Sequence, residues 1–329
     1  MTEYQFPLLR LQKALPNVLK TMDPIDLMSL SFSSTRMKNH VKTIKLRIPI
    51  FELIIAGHCW LQVQLPGYMH WNIRKRYGRD WEGTNDLNEY VNLYSTRNFL
   101  KPGWTVKTWI DHFIEIFGKP HLDVLSISKP VNRFDLVGLK TVVGDASNII
   151  IGHVYNAELY DTLFTVFPTV KALQVRLDAT INANLNKITL ENLDRLYLDN
   201  RQPGFVKLDD LLACNSKLIH LEYSNFTEKD LNRFLKHWRR GSNPRLTILR
   251  ILWRRATPLN QDRVLRGINA QEAPINREKT FEVYDVHPDI RVYTISGGME
   301  IRTKLGRVGT NTIEEKPNNE IEFMFYVSD

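Results

Sequence analysis

The sequence predicts a mixed α/β protein: a small all-α domain at the N-terminus, an α/β solenoid through the middle and a strand-rich β cap at the C-terminus. Three observations lead there. Helix start signals crowd residues 14–44, an apolar-x-x-apolar-x-apolar pattern recurs between residues 122 and 251, and period-two alternation dominates after residue 278. At 329 residues the chain exceeds what one core usually supports, roughly 250–300 residues, so several modules are expected. The expected boundaries are 1–48, 49–120 as a linking helical and capping region, 121–255, and 256–329.

The N-terminal segment opens with Phe6, Pro7, Leu8, Leu9 and Leu11, which read as an extended lead-in because proline restricts itself and its predecessor. Ala14, Leu15, Val18, Leu19 and Met22 then recur at helical spacing, with Pro16 tolerable in a first turn. Asp23-Pro24-Ile25-Asp26 is a helix start: Asp23 can accept from a free amide, Pro24 suits the first helical position, and Asp26 favours the positive end. Leu27 and Leu30 continue that helix. Ser33 or Ser34 is placed to cap a third one carrying Met37, Val41 and Ile44.

Residues 50–120 are rich in tryptophan, and residues 106–117 form a helix closed by Gly118. The polar span 70–88 reads as a surface loop. The repeating pattern then starts at Leu122, Ala146, Val170, Leu193, Leu218 and Leu246, in steps of 24, 24, 23, 25 and 28 residues. That period is leucine-rich-repeat-like, with short strands followed by helices at 156–167, 208–214 and 227–239. Thr227 with Asp230 is a capping pair, and Leu231, Phe234, Leu235 and Trp238 form one apolar stripe. Because side chains alternate along a strand, Gln174, Arg176, Arg195, Tyr197, Asp199, His220, Glu222, Ser224 and Arg250 are expected to point outward as candidate substrate-binding residues. After a polar connection at 256–278, strands are expected at 281–286, 290–296, 299–304 and 321–327, with Gly297-Gly298 as a tight turn.

Two stretches carry a family resemblance. FPLLRL, VLKTMDPIDLMSLSFSST and RMKNHVKTIKL, over residues 5–46, resemble the F-box of the nematode-type F-box family. LDRLYLDN, VKLDDLLACN and KLIHLEYSNFTEKDLNRFLKHWRRGSNPRL, over residues 190–252, resemble the F-box-associated type 2 domain that follows it. The resemblance implies a substrate-recognition subunit of an SCF-type E3 ubiquitin ligase. In that reading Phe6, Pro7, Leu8, Leu9, Leu11, Val18, Leu19, Met22, Leu27 and Leu30 supply the surface for a Skp-type adaptor, and through it a cullin, while the repeat region holds a protein substrate not yet identified.

Composition narrows the alternatives. Hydrophobic residues make up 43% and charged residues 24%, as in an ordinary globular chain. No apolar run approaches the roughly 20 residues that span a bilayer, so no membrane partner and an intracellular location, cytoplasmic or nuclear, are expected. Cys59 and Cys214 are too few for a disulfide framework and lack metal-ligand spacing. The net charge of +8 is spread among 36 acidic residues, with Arg239-Arg240 and Arg254-Arg255 the densest basic pairs. The chain has no phosphate-cradling glycine loop, G-x-S-x-G or H-E-x-x-H, and its histidines are scattered, so no catalytic residue, cofactor or metal is expected. A ligase-independent repeat scaffold and, further off, an RNA- or DNA-binding protein are the alternative readings.

Overall fold

The computed structural model describes residues 14–56, 58–65, 69–76, 103–128, 135–152, 158–177, 185–200, 205–254, 258–274, 278–284 and 290–328. The chain divides into two compact units, Met1–Leu125 with Val137–Ala146, and Ser126–Leu136 with Ser147–Asp329.

The first unit begins with three short helices, α1 (Leu15–Thr21), α2 (Pro24–Ser31) and α3 (Thr35–Thr43). Pro16 sits in the first turn of α1, where its missing N–H costs no intrahelical bond. Asp23 Oδ1 accepts from Ile25 N at 2.8 Å and starts α2. Of the two candidate caps for α3 it is Ser34 that serves, its Oγ accepting from Met37 N at 3.2 Å. Leu15, Leu19, Leu27, Met37 and Val41 close together as a small core, with Met22, Leu30 and Ile44 packed at its margin.

Three strands follow, β1 (Ile50–Ile55), β2 (His58–Leu65) and β3 (Met69–Arg76), in an antiparallel meander pairing Leu53 with Leu61 and Leu61 with Ile73. The polar span expected to be a loop from residue 70 therefore begins as strand β3, because a paired neighbour satisfies its backbone whatever its side chains. Residues 77–88 of that span lie outside the described residues. Helix α4 (Val106–Phe117) starts at Thr105, whose Oγ1 accepts from Thr108 N at 3.2 Å, and stops at Gly118, which takes the left-handed φ of 63° that ends such a helix. It packs on α2 and α3: Phe32 meets Trp109 edge-on at 5.1 Å, Ser31 Oγ lies 2.8 Å from His112 Nε2, and Lys38 pairs with Glu115 at 2.7 Å. The Lys38 hydrogen bond, against a smaller opposing effect of burial, holds the Glu115 carboxyl below its ordinary pKa. Strand β4 (Leu122–Ile127) adds beside β1, where Asp123 Oδ2 accepts from Phe51 N at 2.8 Å, and α5 (Leu136–Val143) comes next in the chain.

The second unit alternates strand and helix: β5 (Ala146–Ile151), α6 (Glu158–Val166), β6 (Ala172–Leu177), α7 (Leu185–Thr189), β7 (Arg195–Asn200), α8 (Leu208–Ala213), β8 (Leu218–Glu222), α9 (Glu228–Arg239) and β9 (Ile248–Arg254). The strands are parallel, with Ile149, Leu173, Leu196, Ile219 and Leu249 in one row. That register corrects the pattern read at Leu218. The position equivalent to Val170, Leu193 and Leu246 is Ser216, two residues earlier, which is buried as Leu193 and Leu246 are. A small serine fits there, and the apolar template chose Leu218 because it scores hydrophobicity rather than pairing. Helix α7, between β6 and β7, was missed because it is only one turn longer than a bend.

After α10 (Gln261–Val264) and β10 (Ala270–Glu272), a hairpin of β11 (Glu278–Tyr284) and β12 (Ile290–Ser296) forms its own two-stranded sheet. Strands β13 (Met299–Arg302), β14 (Val308–Lys316) and β15 (Glu320–Ser328) are antiparallel, and β15 pairs with β9 so that Arg250 faces Met324. In this unit the strand order is β10-β13-β14-β15-β9-β8-β7-β6-β5. The chain is thus a mixed α/β protein with a large sheet. Phe323, Phe325, Leu249 and Ile251 are fully buried on the helix side, where Phe325 meets Phe234 and Trp238 of α9 at 5.8 and 4.8 Å.

Candidate functional site

The opposite face of the second unit's sheet gathers most of the expected recognition residues. Parallel register places Gln174, Tyr197, His220 and Arg250 in one row and Arg176, Asp199 and Glu222 in the next. The rows continue onto β15 through Met324 and Glu322.

Side chains join along these rows. Arg195 Nη2 donates to Asn148 Oδ1 at 3.0 Å, and Arg176 Nε donates to Asp199 Oδ2 at 3.0 Å. Tyr197 meets the His220 ring edge-on at 4.3 Å. His220 Nε2 lies 3.3 Å from Arg250 Nη1 and 3.9 Å from Glu222 Oε1. Arg250 Nε pairs with Glu322, which also holds Lys316 at 3.0 Å, and Lys316 in turn reaches Glu314 at 2.6 Å. Burial alone would lower the pKa of Lys316, but hydrogen bonds to Glu314 and Glu322 outweigh it and raise the group above its ordinary value. The arrangement is a strip of mixed charge, rich in hydrogen-bond donors and acceptors.

The expected outward orientation holds only in part. Gln174, Arg176, Arg195, Tyr197, Glu222 and Arg250 are partly exposed, whereas His220, Asp199 and Ser224 are buried. His220 and Asp199 are covered by the larger side chains they bond, so they hold the strip in place from below. Ser224 leaves the alternation altogether because Tyr223 takes a φ of 53°, which ends β8. Asp199 keeps its Oδ1 buried with no hydrogen-bond partner. Beside the polar rows, Ile295 of β12 packs on Ile248, Met324, Tyr326 and Leu218, so the hairpin borders the strip with an apolar rim.

Sequence reasoning missed Glu322, Glu314, Lys316, Asn148 and Ile295. The one local signal was Glu322 as an acid inside the apolar run 321–327, which on a buried strand demands a cation.

On the F-box-like helices, Leu19 and Leu27 lie in the internal core, Met22 and Leu30 are half-buried at its margin, and Val18 is 37% exposed. Phe6, Pro7, Leu8, Leu9 and Leu11 lie outside the described residues. Both cysteines are buried thiols, and burial pushes the Cys214 thiol up despite hydrogen bonds at Ser216. Among the described residues, no group of three or more His, Cys, Asp or Glu is placed to hold a metal ion, and no helix is long and apolar enough to cross a membrane.

Comparison with known proteins bears on both regions. Residues 11–49 match the F-box domain, covering α1–α3, and residues 184–251 match the F-box associated family, covering α7 to β9 and so much of the polar strip. The chain is 26% identical over 248 residues to the F-box associated domain-containing protein sdz-33 of Caenorhabditis elegans, an alignment spanning 75% of this chain and 78% of that relative. No solved structure matches. The chain therefore carries an F-box domain followed by an F-box associated domain.

Proposed function

We propose that this protein is a non-catalytic substrate-recognition subunit of an SCF-type ubiquitin ligase. The observation that carries the reading is the order of its parts, a three-helix F-box followed by a sheet whose polar strip is shared in part with the F-box associated region, through Arg195, Tyr197, Glu222 and Arg250. Helices α1–α3 and the segment before them dock a Skp-type adaptor and, through it, a cullin. The strand–helix stack of the second unit serves as a leucine-rich-repeat-like scaffold on which Gln174, Arg176, Arg195, Tyr197, Glu222 and Arg250 meet a protein substrate. Simultaneous binding raises the effective concentration of a substrate lysine near a charged ubiquitin-conjugating enzyme, so the chain itself supplies no acid, base or nucleophile. An intracellular location, cytoplasmic or nuclear, follows from that role.

The division between Leu19 and Val18 supplies a clean test. Val18 is exposed and Leu19 is internal, so Val18→Glu removes apolar docking surface while leaving the small core intact. The full-length chain, co-expressed with a Skp-type adaptor, is expected to co-elute with it as a one-to-one complex on size exclusion. Val18→Glu combined with Leu8→Glu is expected to lose the adaptor while keeping its circular dichroism and melting. Failure of the unmodified chain to bind the adaptor overturns the ligase role and leaves a protein-binding scaffold that works outside a ligase.

A further inference from the structure

Helix α9 turns two very different faces to its surroundings. Leu231, Phe234, Leu235 and Trp238 are buried, and the side directly opposite carries Lys229, Arg233, Lys236 and Arg240, spaced by four, three and four residues. Lys229, Arg233 and Arg240 are exposed and Lys236 is half-buried. Helix α10 adds exposed Arg263 just inside its end and exposed Arg266 just beyond it. The two helices are held together by Asn232, whose Nδ2 donates to Val264 O at 2.7 Å and to Arg266 O at 2.9 Å. Lys236 leans toward the same junction, its Nζ 3.4 Å from where a Cβ on Gly267 would stand. With half-buried Arg239 this makes a continuous basic surface over α9 and α10.

No carboxylate among the described residues pairs with any of these cations. The acids of these helices are confined to the first turns. Asp230 is occupied there, its Oδ2 accepting from Thr227 N at 3.0 Å and from Thr227 Oγ1 at 2.7 Å, and Glu228 and Asp262 stand at the same ends. Basic residues in the last turn answer the helix dipole, but Lys229 sits in the first turn, where the dipole disfavours a cation. Helix stability accounts for part of the stripe and not for its whole length.

We propose that the α9–α10 surface is a docking site for a short acidic segment of polypeptide, bearing carboxylates or phosphates. This site lies on the helix side of the sheet, away from the polar strip, and does not depend on the F-box reading. Its dimensions fit a peptide: twelve helical residues span about 18 Å, the length of roughly five or six extended residues. Arginine dominates the surface, and its planar fork suits carboxylate and phosphate alike. Single-stranded nucleic acid would call for a series of exposed aromatic rings on which bases stack, whereas Phe234 and Trp238 of α9 are buried and His237 is the one exposed ring on that helix. Duplex nucleic acid would run its phosphates on into the acids of the first turns.

The test uses the full-length chain and fluorescence anisotropy with labelled probes: hexaglutamate, a peptide of alternating phosphoserine and glutamate, a neutral serine–glutamine peptide, and a single-stranded RNA oligonucleotide of the same charge as hexaglutamate. Hexaglutamate or the phosphopeptide is expected to bind in preference to the neutral peptide and the RNA, and the stronger of the two tells which acidic group is preferred. Binding is expected to weaken as salt shortens the Debye length from about 10 Å at 0.1 M. The triple variant Arg233→Glu, Lys236→Glu, Arg240→Glu is expected to bind at least about tenfold more weakly, and the milder Arg233→Gln, Arg240→Gln severalfold. Lys304→Glu, on an exposed turn, is expected to bind like the parent. Unchanged binding by either basic-surface variant with parental melting, equal binding of the neutral peptide, or tighter binding of the RNA would each overturn the proposal. Adaptor co-elution measured on the same variants keeps this outcome separate from that of the ligase reading.

Discussion

Nη1 of Arg250 donates to Nε2 of His220 across 3.3 Å, tying β9 to β8 on the polar face of the sheet. Since arginine can only donate, this contact needs Nε2 as the acceptor. The same guanidinium reaches the other way to Glu322 on β15, so one side chain links three neighbouring strands. Glu322 is only 4% exposed and depends on Arg250 and Lys316 for its charge balance. Arg250→Ala is expected to destabilise the protein by roughly 2–4 kcal/mol, the cost of leaving a buried carboxylate short of a partner. Urea unfolding measures it, and Arg250→Ala with Glu322→Gln should recover part of the loss; equal destabilisation by the single and double variants would show that the pair is not coupled.

Gly309 on β14 has no side chain because Phe325 occupies its place. A Cβ there would stand 2.2 Å from Phe325 Cζ and 2.9 Å from Trp238 Cη2. Gly309→Ala is therefore expected to cost about 1–3 kcal/mol through overpacking rather than through backbone strain. Adding Phe325→Leu should narrow the gap between alanine and glycine at position 309, as read from denaturant midpoints. An alanine as stable as glycine in the parent background would contradict this packing.

Asn243, buried and in a left-handed φ of 51°, donates from Nδ2 to Leu211 O at 2.9 Å and Cys214 O at 2.7 Å. It closes the end of α8 from a distance in sequence. Asn243→Ala removes both bonds, leaving Cys214 O without this donor while Leu211 O keeps its bond from Cys214 N, and it adds strain, with an expected loss of about 1–3 kcal/mol. Because burial keeps the Cys214 thiol protonated and sheltered, its alkylation by iodoacetamide should be slow in the parent and faster in the variant at the same pH.

Asp194 receives a hydrogen bond from Lys217 at 2.8 Å, with Arg245 at 3.9 Å, and this holds its carboxyl below the ordinary value although burial opposes the shift. A lowered folded pKa means the contribution is complete above the unfolded pKa of about 4 and fades as pH falls through the folded value. The stability difference between the parent and Asp194→Asn should be small at neutral pH, since the pair is largely exposed, and should vanish in acid. Melting temperatures of both proteins from pH 7 to about pH 2 read this directly. A difference that grows in acid would reverse the assigned sign.

The sequence by itself determined the features that are local. Asp23-Pro24 and Thr227 with Asp230 start helices wherever they lie, and Gly118 ends one, because capping satisfies backbone groups within a few residues. Alternation likewise told which side of β6, β7 and β9 would be apolar, since a strand's side chains change face at every residue. What a polar side chain meets on its own face was decided only by the path of the chain. Arg250 and Glu322 are 72 residues apart, and nothing near Arg250 announces that β15 will pair beside it. Ser216 took a core position that hydrophobicity assigned to Leu218, because register is set by hydrogen bonding to β7 and β9. His220 and Asp199 alternate outward as read, yet the neighbours that cover them come from other strands, so their burial belongs to the tertiary structure alone.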